Sequence, residues 1–149
     1  MADINLTQSK ANILISMEKH RENENCCTYP SIGKSIAIPL VSIDKRERFV
    51  LDISRGRINF LKGKYQNRAR ETIVLVRFDF GGPPHSNPDG VEVPCPYLHI
   101  YREGYGDKWA IAAPLDKFPN IDDLWETLTD FMAFCNITRQ PLIEKDLFS

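Results

Sequence analysis

A chain of 149 residues has the usual length of one domain and is long enough to bury a core without disulfides or bound metals. With 42% hydrophobic and 26% charged residues, the composition is that of an ordinary globular protein. The sequence shows neither a secretory signal nor a run of about 18 apolar residues, so we expect no membrane span. Because the four cysteines form no CxxC pair, we expect reduced thiols and a cytoplasmic protein.

Charge is distributed unevenly along the chain. The formal net charge is -1, but residues 45–77 contain ten basic and three acidic residues, so this segment carries +7 and the remainder −8. Such an asymmetry predicts a basic surface suited to a polyanion. The alternative is a solvated pair of strands that happens to be rich in arginine.

The first part of the chain is predicted to contain one helix and one strand. The helix is expected over residues 4–20, with Thr7 as its N-cap. Residues 20–30 are polar and aperiodic, which is typical of a loop. Residues 35–43 are apolar but contain Pro39, which predicts an edge strand or two short pieces.

Two longer strands are predicted in the middle of the chain. Residues 48–54 alternate between apolar and other side chains, and residues 57–60 are expected to continue this strand beyond Gly56. After a turn at residues 61–64, residues 65–80 are predicted to form one long strand. Its apolar residues on both faces indicate a central strand that is covered on both sides. The end that carries Arg68 and Arg70 is expected to project beyond the core.

A loop and a hairpin are predicted next. Residues 81–90, Gly-Gly-Pro-Pro-His-Ser-Asn-Pro-Asp-Gly, have the composition of a shaped loop. Residues 94–113 are predicted to form two strands joined by a turn at residues 103–107. In the first of these strands three polar aromatic side chains share one face: Tyr97, His99 and Tyr101. Leu98 and Ile100 lie on the other face and are better suited to burial, which favours exposure of the tyrosines.

The assembled prediction is an α+β fold in a single domain of residues 1–149. The last helix is expected over residues 121–136, with Asn120 as its N-cap and an apolar stripe that includes Trp125 and Phe131. Residues 138–149 are expected to be a loosely held tail. The fold is a mainly antiparallel sheet of four or five strands flanked by an N-terminal and a C-terminal helix, with one sheet face partly open.

Several catalytic and metal-binding signatures are absent from the sequence. It contains no GxGxxG, Walker, HExxH or GxSxG motif, so nucleotide hydrolysis, dinucleotide chemistry and serine hydrolysis have no support. The candidate zinc ligands are cysteines and histidines. Cys95 and His99 are separated by about 13 Å along a strand and do not converge on one metal. No metal and no cofactor are predicted.

A metal-independent ribonuclease is one hypothesis for the function. Cleavage through the 2′-hydroxyl of RNA needs a base, an acid and cations around the phosphate. His99 is the candidate base, and the other candidate catalytic residues are Tyr101, Arg102 and His85. The alternative is that His99 is an ordinary sheet histidine between packing tyrosines.

Nucleic-acid binding, with RNA favoured, requires less of the sequence and is the preferred hypothesis. Aromatic side chains on a strand face that is bordered by cations are typical of proteins that bind single strands. The candidate binding residues are Arg55, Arg57, Lys62, Lys64, Arg68, Arg70, Tyr97 and Lys108. A third hypothesis is a protein-interaction module, such as an inhibitor from a mobile element. No membrane partner is expected.

Two runs of the sequence carry a resemblance to a known family. Residues 81–90 and residues 98–109, Leu-His-Ile-Tyr-Arg-Glu-Gly-Tyr-Gly-Asp-Lys-Trp, resemble the core of a small family of uncharacterised bacterial and prophage proteins. The resemblance extends over about residues 45–136. It implies a bacterial or phage origin, a single intracellular domain and one constellation formed by the two runs. No catalytic residue is established in that family, so none is transferred.

Overall fold

The computed structural model describes residues 6–57 and 62–145 of the chain. The helices within these ranges are α1 (Gln8–Ser16) and α2 (Leu124–Phe134). The strands are β1 (Lys19–Arg21), β2 (Cys26–Thr28), β3 (Ser35–Ser42), β4 (Arg48–Arg55), β5 (Gly63–Ala69), β6 (Ile73–Phe80), β7 (His85–Ser86), β8 (Glu92–Val93), β9 (Tyr97–Ile100), β10 (Ala110–Ala112), β11 (Ile137–Arg139) and β12 (Leu142–Glu144). The predicted α+β class, with a mainly antiparallel sheet and two flanking helices, is confirmed.

The main sheet is larger than predicted. Within the described residues it has eight strands instead of four or five, in the order β10-β9-β6-β5-β4-β3-β1-β11. Its strand pairs are antiparallel except for β1 with β11. The predicted loop at residues 20–30 and the predicted loose tail contain short strands, so both predictions are wrong. These strands are three residues long, too short for alternation to be recognised. Residues 146–149 lie outside the described residues.

Helix α1 begins at its predicted cap but is shorter than predicted. Thr7 Oγ1 accepts a hydrogen bond of 3.2 Å from the Lys10 backbone N–H. The helix ends at Ser16, because the chain becomes extended at Met17 and continues into β1. The prediction of a helix over residues 4–20 is therefore wrong at its C-terminal end, and its first two residues lie outside the described ranges.

A buried lysine joins the ends of the two helices. Lys19 is completely buried, and its Nζ donates hydrogen bonds to the carbonyl oxygens of Ile15, Met17 and Cys135 at 2.7–2.9 Å. The last carbonyl groups of a helix have no partner inside the helix. One ammonium group thus supplies a donor at the C-terminal end of α1 and at that of α2.

The long strand predicted over residues 65–80 is wrong, because this segment forms the antiparallel hairpin of β5 and β6. Its turn contains Arg70 and Glu71, both in the left-handed backbone region with φ of 50° and 69°. Such turns usually contain glycine or asparagine, and this one contains neither, so no turn signal is visible in the sequence. Strand β5 consequently lies inside the sheet, and its Arg68 end does not project beyond the core.

A register shift explains the apolar run in β6. The pairing of β5 with β6 shifts between Asn67 and Arg68, which leaves Leu75 without a partner on β5. Ile73, Leu75 and Val76 are each at most 3% exposed and belong to the same core. The run of apolar residues therefore reflects a β-bulge that turns their side chains into one core. The prediction that this strand is covered on both faces of the sheet is wrong.

The two faces of the main sheet differ in chemistry. Apolar side chains lie opposite one another on one face of β4, β5, β6 and β9: Ile53, Tyr65, Phe78 and Leu98. Helix α2 packs on this face through Phe131, whose ring centroid lies 6.0 Å from that of Tyr65. Helix α1 adds Ala11 and Leu14 to the same core. Because both helices contribute to this core, the opposite sheet face is left to polar residues.

The start of α2 differs from the prediction. The helix begins at Leu124, and Asp123 is its N-cap, with a carboxylate that accepts a 3.1 Å hydrogen bond from the Glu126 N–H. The predicted cap, Asn120, is wrong. Its backbone carbonyl instead accepts a 3.0 Å hydrogen bond from the Thr127 hydroxyl. The predicted core role of this helix is confirmed, since four of its residues are buried.

Strand β4 confirms the strand predicted over residues 48–54, whereas residues 58–60 of its predicted continuation lie outside the described residues. The prediction that Pro39 makes residues 35–43 an edge strand or two short pieces is wrong, because β3 is one continuous strand between β4 and β1. Pro39 is tolerated there because β1 pairs only with Leu40 to Ser42, so the backbone at Pro39 has a paired strand on the β4 side alone. The pairing of β9 with β10 confirms the hairpin. No helix within residues 6–57 and 62–145 combines the length and the apolar character needed to cross a membrane.

Candidate functional site

Two rows of mainly polar side chains cross the sheet face opposite the helices, and we call this the polar face. In the first row, the residues that lie opposite one another on β4, β5, β6 and β9 are Asp52, Gln66, Arg77 and His99. In the second row they are Ser54, Lys64, Asp79 and Tyr97. Because side chains alternate along a strand, these residues point away from the core that the helices cover.

His99 ends the first row and is completely buried. Its Nε2 lies 3.0 Å from Nη2 of Arg77 and 3.3 Å from Oδ2 of Asp79. Its Nδ1 is also buried and has no hydrogen-bond partner within the described residues. Buried polar atoms are nearly always paired, so the unpaired Nδ1 distinguishes His99 from a fully satisfied sheet histidine.

Asp79 connects Arg77 and His99. Its Oδ2 accepts a 2.9 Å hydrogen bond from Nε of Arg77, and the same guanidinium donates from Nη1 to Asp107 at 2.7 Å. Burial alone would raise the pKa of Asp79, but the hydrogen bond with His99 and the charge of Arg77 outweigh burial and lower this pKa. Asp79 is therefore an ionised carboxylate at neutral pH, held between a guanidinium and an imidazole.

His85 packs against the buried ring of His99, and we call these two residues the imidazole pair. The ring centroids of His85 and His99 are 4.6 Å apart in an edge-to-face arrangement, and Tyr97 lies 5.6 Å from His85. Nε2 of His85 lies 2.8 Å from the carbonyl oxygen of Lys108. Since a carbonyl oxygen can only accept, Nε2 carries the proton, and the lone pair of the neutral ring is on Nδ1.

The loop that carries His85 is fixed along the outer edge of β10. The buried side chain of Asn87 donates to the carbonyl oxygen of Ala110 at 3.0 Å and accepts from the Ala110 N–H at 2.8 Å. The backbone N–H of Gly82 donates to Sγ of Cys95 at 3.3 Å. The contacts of Asn87 occupy backbone groups at the sheet edge, and the bond of His85 to Lys108 joins residues 81–90 to residues 98–109.

The predicted exposure of two tyrosines is wrong. Tyr97 is 9% exposed and donates from its hydroxyl to the carbonyl oxygen of Pro83 at 3.3 Å. Tyr101 is 3% exposed, and its hydroxyl bonds both the N–H and the carbonyl oxygen of Leu6 at 2.8 and 2.9 Å. Strand β9 ends at Ile100, so the alternation does not extend to Tyr101, which joins the main core. Neither ring is open for stacking on a base.

Three arginines of the predicted binding set are engaged inside the protein. Arg68 donates two hydrogen bonds to the carboxylate of Asp52, at 2.6 and 2.9 Å. Arg70 lies 3.1 Å from Glu47. Arg55 is 7% exposed. A phosphate that bound to these side chains would have to compete with internal carboxylates or reach a buried group.

Three of the remaining cations of that set lie with one further lysine at one end of the sheet. We define the cationic end as Lys34, Arg57, Lys62 and Lys64. All four residues are exposed, and within the described part of the chain none of them forms an ion pair. Backbone hydrogen bonds hold the segments together, from Gly33 N–H to Gly56 O at 3.1 Å and from Gly56 N–H to Lys62 O at 2.7 Å.

The cationic end adjoins the loop that carries His85. A Cβ atom placed on Gly82 would lie 3.7 Å from Cε of Lys62. Lys64 lies directly opposite Asp79 on the neighbouring strand. The structure thus brings Lys62 next to the loop and Lys64 next to the half-buried carboxylate of Asp79, although both lysines are distant from His85 in sequence.

Arg102 and Lys108 lie in the hairpin between β9 and β10, and both are exposed. The guanidinium of Arg102 lies 4.4 Å from the ring centroid of Trp109, a cation–π contact. Lys108 contributes its carbonyl oxygen to His85. Of these two predicted residues, only Lys108 contacts the imidazole pair in the structure.

The cysteine and histidine side chains do not assemble into a metal site in the part of the chain that the structure describes. No group of three His, Cys, Asp or Glu side chains converges within those residues. All four cysteines are free thiols.

Sequence reasoning does not identify five residues of this site: Lys34, Arg77, Asp79, Asn87 and Asp107. One signal for Asp79 is present, because Arg77 and Asp79 are charged residues two apart in an otherwise apolar strand and must share one face. Asn87 has no such signal. Its partner, Ala110, is apolar, and the contact depends on how the loop folds over β10.

A comparison with known proteins adds a family but no activity. Neither the curated proteins nor the solved structures include a match. A protein-family model described as a family of unknown function matches residues 6–137. This range includes the imidazole pair, the cationic end and both helices. The chain therefore belongs to this family of unknown function (DUF6978).

Proposed function

We propose that this protein binds single-stranded nucleic acid, with RNA favoured, through the cationic end of its sheet. The observation that supports this proposal is the group of four exposed cations that have no carboxylate partner within the described residues. Neutralisation of phosphates by lysine and arginine supplies much of the affinity of proteins for nucleic acids. Cations that are already paired, such as Arg68, contribute less because binding must first break their internal contacts.

The polar face next to the cationic end suits an extended strand. A shallow depression there is lined by small and polar side chains, among them Ser35, Ala37, Ser54, Lys64 and Gln66, and also by Glu71 and the ion pair of Asp52 with Arg68. Small side chains leave room for a backbone to approach the sheet. Hydroxyl and amide groups can also bond the 2′-hydroxyl, which is the group that distinguishes RNA from DNA. These groups support the preference for RNA.

A cytoplasmic location in a bacterium or in a phage-infected cell is part of this proposal. It is supported by the four free thiols, which suit a reducing compartment, and by the resemblance carried by residues 81–90 and 98–109.

The experiment compares two double variants. Each of them removes two positive charges from β5 or from the residues next to it. Binding to a fluorescent single-stranded RNA is measured by anisotropy over a range of salt concentrations. We expect Lys62→Ala with Lys64→Ala to weaken binding about tenfold or more and to reduce the salt dependence, because two phosphate contacts are lost. Arg68→Ala with Arg70→Ala should bind nearly as tightly as the wild type.

Two results would contradict the proposal. One is that the Arg68 and Arg70 variant loses more affinity than the Lys62 and Lys64 variant. The other is that the wild-type protein binds no RNA at low salt, which would favour the hypothesis of a protein-interaction module.

Metal-independent cleavage of RNA is a second candidate function, and the imidazole pair favours it. General acid–base catalysis on a phosphodiester needs groups that exchange protons near neutral pH, and histidine is the side chain best suited to this. His85 and His99 are in contact close to the cationic end. Tyr101 and Arg102, which were also candidate catalytic residues, contact neither histidine.

A further inference from the structure

We infer that His85, and not His99, is the proton acceptor of this site, and that its substrate is the 2′-hydroxyl of an RNA strand bound at the cationic end. The inference rests on the proposed function, since the cationic end must first hold the RNA. The inference makes His85 the base, whereas the sequence favours His99 for that role.

The hydrogen bond of His85 leaves the correct nitrogen free. Its Nε2 donates to the carbonyl oxygen of Lys108, which fixes the tautomer of the neutral ring. Its Nδ1 has no hydrogen-bond partner among the described residues. Because this atom is not one of the buried atoms that lack a partner, it reaches solvent. A base whose other nitrogen is held by an acceptor is the arrangement that general-base catalysis uses.

His99 is placed to support His85 rather than to react. It is completely buried, so a substrate cannot contact it without movement of the loop above it. Arg77 and Asp79 hold its Nε2, and Asp107 in turn holds Arg77. His99 then acts as a positioning residue, because its ring sets the place of the His85 ring through their edge-to-face contact.

Phosphate-binding groups are available near His85. Lys62 lies against Gly82, and the three residues from Gly82 to His85 can span at most about 10 Å. A phosphate on Lys62 is therefore within a few nucleotides of Nδ1 of His85 along a bound strand. Lys64, opposite Asp79, lies in the same region of the polar face.

The reaction that these groups fit is an internal transesterification. Nδ1 of His85 takes the proton of the 2′-hydroxyl, the 2′-oxygen forms a bond to phosphorus, and the bond from phosphorus to the 5′-oxygen breaks. The leaving 5′-oxygen takes a proton from water, and the resulting hydroxide takes the proton from His85. The products are a 2′,3′-cyclic phosphate and a 5′-hydroxyl, and no metal, oxidant or reductant is required.

The test uses two substitutions of His85 that separate its hydrogen bond to the Lys108 carbonyl from its role as proton acceptor. In His85→Gln, the side-chain amide can still donate to the Lys108 carbonyl but provides no base, so the loop should keep its position. In His85→Ala, the base is removed and a space is left that imidazole can enter. Ser86→Ala, in the same strand β7, is the control, since this side chain is exposed.

The substrate is a single-stranded oligonucleotide that is DNA except for one ribonucleotide, compared with its all-DNA counterpart. We expect wild-type protein to cut only next to the ribonucleotide and to leave a cyclic phosphate. His85→Gln should lower the rate about 100-fold or more while the affinity for RNA stays unchanged. Added imidazole should restore part of the activity to His85→Ala and none to His85→Gln.

The outcomes separate this inference from the proposed function. If wild-type protein binds RNA but does not cut it, or if His85→Gln cuts at the wild-type rate, the inference is overturned and RNA binding stands. If wild-type protein does not bind RNA, both fail.

Discussion

His85 and His99 are in edge-to-face contact, with ring centroids 4.6 Å apart, and they reach this contact from a surface loop and from an inner strand of the sheet. His99 is held by Arg77 and Asp79, whereas His85 is held by a backbone carbonyl of the next hairpin. The contact therefore depends on the loop being fixed to β10. The residue that fixes it is Asn87.

Replacing Asn87 with alanine is expected to destabilise the protein. Both the N–H and the carbonyl oxygen of Ala110 lose their partner, and leaving buried polar groups unpaired costs about 1–3 kcal/mol. Urea unfolding measures the effect, with exposed Ser86→Ala as the control. Equal unfolding midpoints for the two variants would show that the loop does not depend on Asn87.

Replacing Asp79 with asparagine is expected to change how stability depends on acid. The pKa of Asp79 is lower in the folded protein than the ordinary value of about 3.9, so its ionised form stabilises the fold at neutral pH. That contribution is lost as the pH falls below about 4 and through the lower folded pKa. The stability difference between wild type and Asp79→Asn should thus be largest at neutral pH and shrink in acid.

The measurement is urea unfolding of both proteins from pH 7 towards pH 3, the range in which carboxylates begin to titrate. Asp116→Asn is the control, because Asp116 is exposed and makes no ion pair within the described residues. A difference for Asp79→Asn that is the same at every pH would contradict an ionised Asp79 in the folded protein.

Replacing Lys19 with methionine is expected to destabilise the ends of both helices. Methionine fills a similar volume but provides no donor for the carbonyl oxygens of Ile15, Met17 and Cys135. The expected loss is about 1–3 kcal/mol, since removal of the ammonium also relieves the cost of burying it. Thermal unfolding of this variant should show a lower Tm than that of Lys10→Met, which alters an exposed lysine of α1.

Replacing Tyr101 with phenylalanine separates packing from recognition. The variant loses two hydrogen bonds to Leu6 and should be destabilised by about 1 kcal/mol or more, but it should bind RNA as the wild type does. The buried ring has no exposed face on which a base could stack. Unfolding and RNA anisotropy on the same sample test both parts, and a loss of RNA affinity in a folded variant would restore the stacking hypothesis.

Patterns that depend on neighbours in sequence predict this fold well. The cap at Thr7, the strand at residues 48–54, the hairpin at residues 94–113 and the helix near residue 124 all follow from local periodicity and turn residues. The failures come from elements with no local pattern. Strands of three residues show no alternation, and the turn at Arg70 and Glu71 contains no glycine.

The error at that turn also affects the predicted site. Because β5 lies inside the sheet, Arg68 lies beside β4 and bonds Asp52 instead of projecting beyond the core. Among the residues that the structure describes, the basic segment is thereby divided into arginines with carboxylate partners and cations without one. Burial of Tyr97 depends on the loop above it, and burial of Tyr101 on Leu6, which is distant in sequence. Contacts of this kind follow from the three-dimensional fold and not from spacing.

RNA binding at the cationic end is tested most directly by an NMR titration of labelled protein with a single-stranded RNA. Backbone amide signals of Gly33, Gly56, Lys62, Lys64 and Gly82 should shift as RNA is added, because these residues surround the unpaired cations. Signals of Glu47 and Arg70, at the other end of β4 and β5, should stay in place. Shifts concentrated at Arg68 and Arg70, with none at the cationic end, would contradict the account.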